Sequence, residues 1–519
     1  MTQTAARRRS IARRRALVCG LLFMVAVVGV RAADPTIVAA VKAGDRDRVA
    51  ALVEELTRSG DIDAAEPDGT TAVHWAVRQA DAPMLALLVG AGANLNAVNR
   101  YGLTPLSMAA RAGNAELVEQ LIGAGASPRE AERAMAEGQT LAMFAARTGS
   151  VPALRALAAH GALDVHARES RNDTTALMWA ALADRPDAVQ FLVEAGADPD
   201  VRSRVTDYPH LPNGVLRTGL EEGVSFVGQT PLQKGGWTAS MYAARQGAVE
   251  ATRALAAAGA DLDAVDPLGA SALSLAVING HWDVVTALVE AGANPDVADE
   301  AGMTPLYAAV DFHTLPDTYG RPSPKRRVVA GSVDAVKQLL AAGANPDARL
   351  VTRTLRRQYT AGDGRLGEGA TPLMRAARTA DVVMMRLLIE AGAEVSLAQT
   401  NGNNALLLAA GAVRGSAGDP DEVTVQQALA ALSMCLEAGA DIDITASNAQ
   451  GSTALHLAAG SSGAAEMIRL LVDRGARLDA VDERGRTPLD VASAAREPDE
   501  EAIAVLRQLS ADGTGRSRR

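Results

Sequence analysis

The chain has 519 residues, of which 48% are hydrophobic and only 3% aromatic, and its net charge at pH 7 is −10. A chain of this length holds either several ordinary domains or one long array of repeats, and an alanine-, leucine- and valine-rich composition favours closely stacked helices. The negative charge argues against general nucleic-acid binding, which needs an electropositive surface.

Residues 1–32 have the pattern of an export signal. A basic region with six arginines precedes an apolar run of 15 residues at 16–30, and the small-residue site "VRA" follows. Since a spanning helix needs about 20 residues, we expect cleavage and export to the periplasm or the extracellular space, by a Sec or twin-arginine route. The alternative is a membrane anchor through residues 16–30. Removing residues 1–32 takes away seven arginines and no acidic residue, which changes the net charge from −10 to −17.

One short string recurs along the rest of the chain. "EAGANPD" at 290–296 has close copies, "EAGADPD" at 194–200 and "AAGANPD" at 341–347. The shortest intervals between the glycines of successive copies are 32 and 33 residues, and a period near 33 indicates a repeat protein.

A second motif begins with a threonine, as in "TPLSMAARAG" from Thr104, or once with a serine, Ser271, and in seven copies the glycine follows 21 residues later. This spacing predicts two short helices and a turn. Threonine is a good N-cap, proline is preorganised at the first helical position, and the glycine can adopt the left-handed conformation that ends a helix. Because one helix pair cannot bury its own apolar face, it must stack on copies of itself.

The two motifs and their fixed spacing resemble the ankyrin repeat, whose pattern is nearly spelled out in "AGMTPLYAAV" and "GHWDVVTALVEAGANPD". The resemblance implies an all-α repeat solenoid of stacked helix–turn–helix units with β-turn or hairpin finger loops, in an exported protein of bacterial type. We count about twelve units over residues 33–510, with atypical first and last units, and we predict a disordered tail at 511–519.

Four units are longer than the pattern requires. Residues 205–234 and 351–368 lengthen finger loops, whereas 311–330 and 411–423 fall between the two helices of their units, which is the opposite edge in the ankyrin geometry. Long loops are often functional. Passive insertion is the alternative, because lengthening a surface loop costs only about 0.6 kcal/mol per doubling.

A set of arginines recurs seven residues after the threonine of the motif. The resemblance places this position at the end of the first helix on the concave side, in a discontinuous row interrupted by Leu182, Ile278 and Asp311. We predict a partner-binding stripe, and the alternative is an ordinary solvated face. The row consists of Arg78, Arg111, Arg147, Arg245 and Arg378.

The two finger insertions add residue types that act as binding anchors and a positive group in an acidic protein. These candidates are Tyr208, His210 and Phe226 in the first insertion and Arg353, Arg356, Arg357 and Tyr359 in the second. Together with the arginine row they predict an edge that attracts an acidic patch on another protein.

The sequence carries no pattern of catalysis or metal binding. The seven histidines lack metal-ligand spacing, and Cys435 is the single cysteine outside the signal, so neither a thiolate zinc site nor an internal disulfide can form. We therefore expect no enzyme activity, no metal and no cofactor, and we interpret Cys435 as a buried structural thiol. The resemblance gives His74 and His456 a structural role in the turn.

These patterns predict a monomeric scaffold or adaptor of the cell envelope or secreted fraction. It would bind another protein through its concave face and finger loops, without nucleic acid and without a membrane span in the mature chain. Fold alone is an indirect argument for function, so two alternatives stay open. One is an enzyme or small-ligand receptor with its site in the insertion loops, and the other is a purely structural envelope component.

Overall fold

The computed structural model describes residues 37–59, 62–207, 233–314, 326–352, 365–413, 423–445, 451–461, 463–495 and 498–512. The chain separates into two compact units, the first of residues 1–141 and 152–163 and the second of residues 142–151 and 164–519. Helices dominate both units.

Apart from the helix Pro128–Ala134, the α-helices within residues 37–159 alternate along the chain between a short first helix and a second helix of 9 to 14 residues. They are α1 (Ile37–Lys42), α2 (Arg46–Ser59), α3 (Ala72–Arg78), α4 (Ala82–Gly90), α5 (Pro105–Ala112), α6 (Ala115–Gly123), α7 (Pro128–Ala134), α8 (Leu141–Thr148) and α9 (Val151–Ala159).

The second unit continues the same alternation of first and second helices. Its further helices are α10 (Ala176–Leu182), α11 (Pro186–Glu194), α12 (Ala239–Gln246), α13 (Val249–Ala257), α14 (Ala272–Ile278), α15 (Trp282–Glu290), α16 (Pro305–Thr314), α17 (Arg326–Ala341), α18 (Pro372–Arg378), α19 (Val382–Glu390), α20 (Ala405–Ala410), α21 (Val425–Glu437), α22 (Ala454–Ala459), α23 (Ala465–Asp473), α24 (Pro488–Ser493) and α25 (Glu500–Ala511).

The motif residues begin and end the helices as their chemistry predicts. The hydroxyl of Thr104 accepts the backbone N–H of Ser107 at 3.1 Å, and Thr175, Thr238 and Thr371 cap α10, α12 and α18 in the same way. At the other end of the pair, Gly292 has a φ of 88°, a conformation that L side chains rarely adopt. The local sequence therefore sets the bounds of most helix pairs.

Helix pairs stack in chain order within each compact unit. In the first unit α1, α3 and α5 pack side by side, as do α2, α4 and α6; in the second unit the first helices pack in series from α10 to α24 and the second helices from α11 to α25. The first helices can approach closely because many of them carry a pair of alanines at the contact, and these alanines are fully buried. Examples are Ala109, Ala110, Ala180, Ala181, Ala243, Ala244, Ala376 and Ala377.

The last residue of the recurrent string joins each finger to the next one. The backbone N–H of Asn294 donates to the carboxylate of Asp263 at 2.7 Å, and that of Asn345 donates to Asp296 at 2.8 Å. In the first unit Asn96 takes this role and accepts from the N–H of Ser127. The repetition of the string thus reflects a contact made once per repeat.

Two turns of the chain need a glycine for different reasons. A Cβ added at Gly269 would lie 2.9 Å from the Cα of Asp299 in the following finger, so glycine is needed there for space as well as for its φ of 81°. By contrast, a Cβ at Gly292 would meet no atom within 4 Å, so that position needs glycine for its backbone conformation alone.

The described parts of the insertions differ in detail from the sequence-based expectation. The long finger at 205–234 begins and ends in an antiparallel pair of two-residue strands, β1 (Thr206–Asp207) and β2 (Gln233–Lys234). Residues 311–330 are not wholly a loop, because α16 continues to Thr314 and α17 already begins at Arg326.

Two further helical segments depart from the pattern. Helix α7 lies in what the sequence predicted to be an ordinary finger, because Ser127 accepts the N–H of Glu130 and Pro128 occupies the first turn. At the other end of the chain α25 runs to Ala511, so the predicted tail at 511–519 starts inside a helix, and residues 513–519 lie outside the described residues.

His74 joins two repeats of the first unit through both ring nitrogens. Its Nδ1 accepts the backbone N–H of Thr71 at 3.2 Å, and its Nε2 lies 3.1 Å from the carbonyl oxygen of Leu103 in the next repeat. This arrangement suits the neutral ring with its proton on Nε2. Burial lowers the pKa of His74 below 6.5, against the opposing hydrogen bond to Leu103. His456 makes the equivalent contacts with Thr453 and Arg486 in the second unit.

The hydrogen bond between the fingers at Asp263 and Asn294 predicts how substitution of Asp263 changes the free energy of unfolding. We expect Asp263→Ala to lower the free energy of unfolding by about 1 kcal/mol or less, because an exposed backbone N–H loses its acceptor. Asp263→Asn should retain most of the stability, as Asn96 does naturally at this position. Urea denaturation and amide exchange at Asn294 measure the effect, and equal losses in both variants would contradict it.

The environment of His74 predicts a pH dependence. Because its pKa is lower in the folded than in the unfolded chain, its contribution to stability is complete above pH 6.5 and is lost as the pH falls below that value. The reason is that the His74 ring binds a proton more readily in the unfolded chain than in the folded one, so acid favours unfolding. Urea midpoints between pH 7.5 and 5.5 should therefore fall more steeply for the wild type than for His74→Ser, which copies the Thr104–Ser107 cap of the next repeat. Parallel curves would refute the prediction.

Candidate protein-binding surface

The predicted arginine row lies at the C-terminal ends of the first helices. Arg78 and Arg111 are exposed in the first unit, and Arg147 and Arg245 are exposed in the second. Each occupies the last turn of its helix, where a positive charge interacts favourably with the helix dipole. Within each unit, we call the surface formed by the residues four and seven positions after the residue that caps the first helix the first-helix face.

Aromatic side chains accompany these arginines, which the sequence analysis missed. In the first unit the guanidinium carbon of Arg78 lies 5.0 Å from the ring centroid of Trp75, and the ammonium of Lys42 lies 4.3 Å from it. The Trp75 indole donates a hydrogen bond to Glu66 at 2.7 Å. The signal was present in the sequence, since Trp75 stands four residues after Thr71 and aromatic residues recur at that position.

In the second unit the aromatic residues are fixed by side-chain contacts. Trp179 meets the buried Phe144 edge-on at 5.5 Å, and its indole N–H donates to the hydroxyl of Thr174. Trp237 meets Tyr242 edge-on at 5.3 Å, and its indole N–H donates to Asp266 at 3.1 Å. Because the indole nitrogens are satisfied and one edge of each ring pair is packed, these rings have little freedom to move.

The arginines of the second unit lie over these rings. The guanidinium carbon of Arg147 is 6.0 Å from the ring centroid of Trp179, and that of Arg245 is 5.0 Å from that of Trp237. Between them in the row Leu182 is 41% exposed, so the gap predicted at this position is an accessible apolar side chain. Burial raises the pKa of Tyr242, so its phenol stays neutral beside Arg245.

The same face is closed further along the second unit. Asp311, predicted as a gap in the row, is buried and forms an ion pair with Arg375 at 2.6 Å, with side-chain exposures of 7% and 4%. Arg378 is half-buried rather than exposed. Its exposure therefore does not support the prediction that it belongs to the partner-binding row. Four residues after the residue that caps each of these first helices, the side chains of Leu275, Ala308, Arg375 and Leu408 are all buried.

A histidine, a serine and an aspartate meet beside this ion pair. Nδ1 of His313 lies 2.7 Å from the hydroxyl of Ser332, and its Nε2 lies 3.4 Å from a carboxylate oxygen of Asp381. The order of the groups is that of a hydrolytic triad, but Ser332 is fully buried inside α17, and a nucleophile must be reachable by its substrate. Asp381 also caps α19 by accepting the N–H of Met384. The cluster therefore has the properties of a structural contact.

The candidate residues in the two finger insertions cannot be placed. Tyr208, His210, Phe226, Arg353, Arg356, Arg357 and Tyr359 all lie outside the described residues. Nearby, Leu366 is buried and the N–H of Gly367 donates to Gln399 at 2.8 Å, so the end of the 351–368 segment packs on the next finger.

Three further observations bear on the other sequence-based expectations. Cys435 is fully buried, and burial raises the pKa of its thiol to about 12. No cluster of three metal-ligating side chains occurs among the residues that the structure describes. Within the same residues no helix is long and apolar enough to cross a membrane, and residues 16–30 are not among them.

Family models agree with this architecture. A model of ankyrin repeats (3 copies) matches residues 37–132, 106–203, 220–299 and 240–316, which together make up more than half of the chain. A model of ankyrin repeats (many copies) matches 436–492, and a single ankyrin repeat matches 368–400. The chain therefore belongs to the ankyrin repeat family, and its fold is an all-α repeat solenoid.

Individual relatives share the repeats but only part of the sequence. The chain is 26% identical over 370 residues to the E3 ubiquitin-protein ligase KEG of Arabidopsis thaliana; the match covers 66% of this chain and 19% of the ligase. The crystal structure of the ankyrin repeat domain of Bcl-3, a member of the IkappaB protein family, is 28% identical and covers 51% of this chain and 98% of its own, with a TM-score of 0.35. The human ASB11 ankyrin repeat domain is 22% identical and covers 58% and 98%, with a TM-score of 0.35.

Membership of the ankyrin repeat family indicates the general kind of function. Ankyrin repeats generally mediate protein–protein interactions, and the fold is typically non-catalytic. The partial match to a ligase does not establish catalysis in this chain, since 81% of that protein has no counterpart in the match.

The buried ion pair predicts how the closed part of the face responds to substitution. Asp311→Asn should lower the free energy of unfolding by about 3–5 kcal/mol, because it removes the carboxylate charge with which Arg375 pairs in a buried site. The double variant Asp311→Leu with Arg375→Met should recover most of that loss, since well-packed apolar residues can replace a buried ion pair.

A matched control is the exposed pair of Arg253 and Glu250, where Glu250→Ala should change stability by less than about 1 kcal/mol. Urea denaturation followed by circular dichroism measures all three variants. A loss for Asp311→Asn no larger than that for Glu250→Ala would contradict the prediction.

Proposed function

We propose that this protein is an exported binding protein of the cell envelope or secreted fraction, which holds another protein on its first-helix face and fingers. Membership of the ankyrin repeat family supports binding in general. The observation that carries the proposal is the state of Arg147 and Arg245, which are exposed, stacked on indoles and, among the described residues, in no ion pair with a carboxylate.

Export is the second part of the proposal, and it rests on the tripartite N-terminus at residues 1–32. Cleavage there leaves a mature chain whose net charge is −17, in which a local group of arginines is electrostatically distinct. We further propose that the mature protein is a monomer, and that the insertions at 205–234 and 351–368 add contacts at the finger edge of the same surface.

The two alternatives receive less support from the described residues. The first alternative, an enzyme or small-ligand receptor, places its site in the insertion loops. The triad-like contact next to the 311–330 insertion does not support it, because Ser332 is buried. A purely structural component would not need Arg147 and Arg245 to lie over tryptophans at exposed positions, because an exposed cation–π contact adds only about 0.5–1 kcal/mol.

Site-specific cross-linking tests the binding face. Because Cys435 is buried and its pKa is raised to about 12, a cysteine introduced elsewhere can be labelled selectively with a photo-crosslinker. We expect Leu182→Cys, on the first-helix face, to cross-link a saturable protein partner in the envelope or secreted fraction. Gln190→Cys, exposed on the second helix of the same repeat, is the matched control.

Two outcomes would contradict the proposal. Equal cross-linking from positions 182 and 190 would remove the first-helix face as the binding surface, and no saturable partner from either position would remove the binding function. Export is tested separately: the intact mass of protein from its native host should correspond to a chain that starts near residue 33, and a cytosolic chain that retains residues 1–32 would refute it.

A further inference from the structure

The second unit carries one continuous run of accessible residues that can select a particular kind of partner. We call it the arginine–aromatic patch and define it by six residues at three successive repeats: Arg147, Trp179, Leu182, Trp237, Tyr242 and Arg245. The three members Arg147, Leu182 and Arg245 occupy equivalent positions on α8, α10 and α12. Along the stack, the patch therefore presents a positive charge, an apolar side chain and a second positive charge.

The stacking of helices fixes the spacing of this line. Neighbouring first helices lie about 10 Å apart, so the two guanidinium groups are separated by roughly 20 Å, with Leu182 near the midpoint. A partner must place complementary groups at the same separation. In an extended chain, which rises about 3.3 Å per residue with alternate side chains on one face, residues 0 and 6 satisfy this distance, and residues 2 and 4 face the same way between them.

The chemistry of the patch favours carboxylates at the two ends. Stacking on an indole holds a guanidinium in place while its edge N–H groups stay available for bidentate pairing. The neighbouring carboxylates are already engaged in the fingers: Asp266 accepts the N–H groups of Leu268 and Ala270, and Glu169 accepts that of Asn172. An incoming carboxylate would therefore meet arginines without a competing internal partner among the described residues.

Stacked nucleic-acid bases fit the same surface less well. Binding of single strands needs free aromatic faces, whereas the Trp179 and Trp237 rings already lie under Arg147 and Arg245 and touch Phe144 and Tyr242 edge-on. The chain as a whole also carries a net charge of −10, which repels a polyanion while leaving a short segment with two carboxylates able to dock locally.

We propose that the arginine–aromatic patch binds an extended segment of a partner protein with carboxylate side chains at positions 0 and 6 and apolar side chains at positions 2 and 4 between them. The carboxylates pair with Arg147 and Arg245, and the apolar side chains pack on Leu182 and the exposed parts of Trp179 and Tyr242. This inference rests on the proposed protein-binding function and adds to it the chemistry and the spacing of the partner segment.

Selection from a random 12-residue peptide library displayed on phage tests the pattern while the natural partner is still unidentified. The bait is the chain from residue 33 to residue 519. We expect enriched peptides to carry two acidic residues six positions apart with apolar residues between them. A synthetic copy of such a peptide should bind Arg147→Ala/Arg245→Ala at least about tenfold more weakly than the wild type.

The control variant removes two exposed arginines from second helices, Arg253→Ala/Arg386→Ala, and should bind the peptide as the wild type does. Leu182→Glu places a carboxylate between the two arginines and should also weaken binding about tenfold or more, although position 182 is exposed enough to tolerate the change. Thermal unfolding by circular dichroism verifies that each variant is folded. A second peptide, in which the acidic residue of position 6 is moved to position 3, should bind the wild type no more tightly than it binds Arg147→Ala/Arg245→Ala.

Several results would overturn the inference. These are no enriched sequence, enriched peptides without paired acidic residues, or binding within twofold for the wild type and Arg147→Ala/Arg245→Ala. Binding of a twelve-residue oligothymidylate that competes with the peptide at similar affinity would instead assign the patch to nucleic acid. If cross-linking from position 182 still finds a saturable partner, the proposed function stands and only the segment chemistry is wrong.

Discussion

The burial of each first helix between its two neighbours is the contact on which the rest of the structure depends. A helix pair of this size has no core of its own, and the paired alanines at the centre of the first helix become fully buried only when the next pair packs against them. The finger hydrogen bond from Asn294 to Asp263, the close approach at Gly269 and the bridge from His74 to Leu103 all secure the same stacking. Each of them acts between consecutive repeats, so a local change is felt mainly by its neighbours.

Stacking also explains why the first-helix face changes character along the second unit. The residues four and seven positions after the capping residue are brought to the same surface in successive repeats of this unit, and their identities decide what that surface is. At Trp179, Leu182 and Arg245 it is open to solvent, whereas at Asp311 and Arg375 it is sealed by a buried ion pair. The proposed binding surface and a structural contact therefore lie at equivalent positions of one repeated element.

The open part of the face has the properties that favour recognition by a rigid surface. Its aromatic rings are held by hydrogen bonds at their polar atoms and by edge-on contacts, so a partner does not have to immobilise them on binding. Its arginines stand out against an acidic chain, which favours electrostatic attraction of acidic partner segments to this place rather than elsewhere. In the proposed complex, the fixed spacing of the repeats sets the distance between the partner groups that can bind.

The sequence alone determined the repeat, the caps and the helix ends, because these depend on residues close together in the chain. Thr104 with Pro105, and Gly292 with its left-handed backbone, act within one turn of their helices. The 21-residue spacing from a motif threonine to its glycine, as from Thr104 to Gly125, could be read directly. The sequence also located Arg147 and Arg245 correctly at exposed helix ends. It could not show that Asp311 pairs with Arg375, 64 residues away, that His313 joins Ser332 to Asp381, or that Arg147 lies over a tryptophan of the next repeat. Apart from the contact between His313 and Ser332, which lies within one repeat, these contacts join residues from different repeats. Only the packing of the helices sets which of these side chains meet.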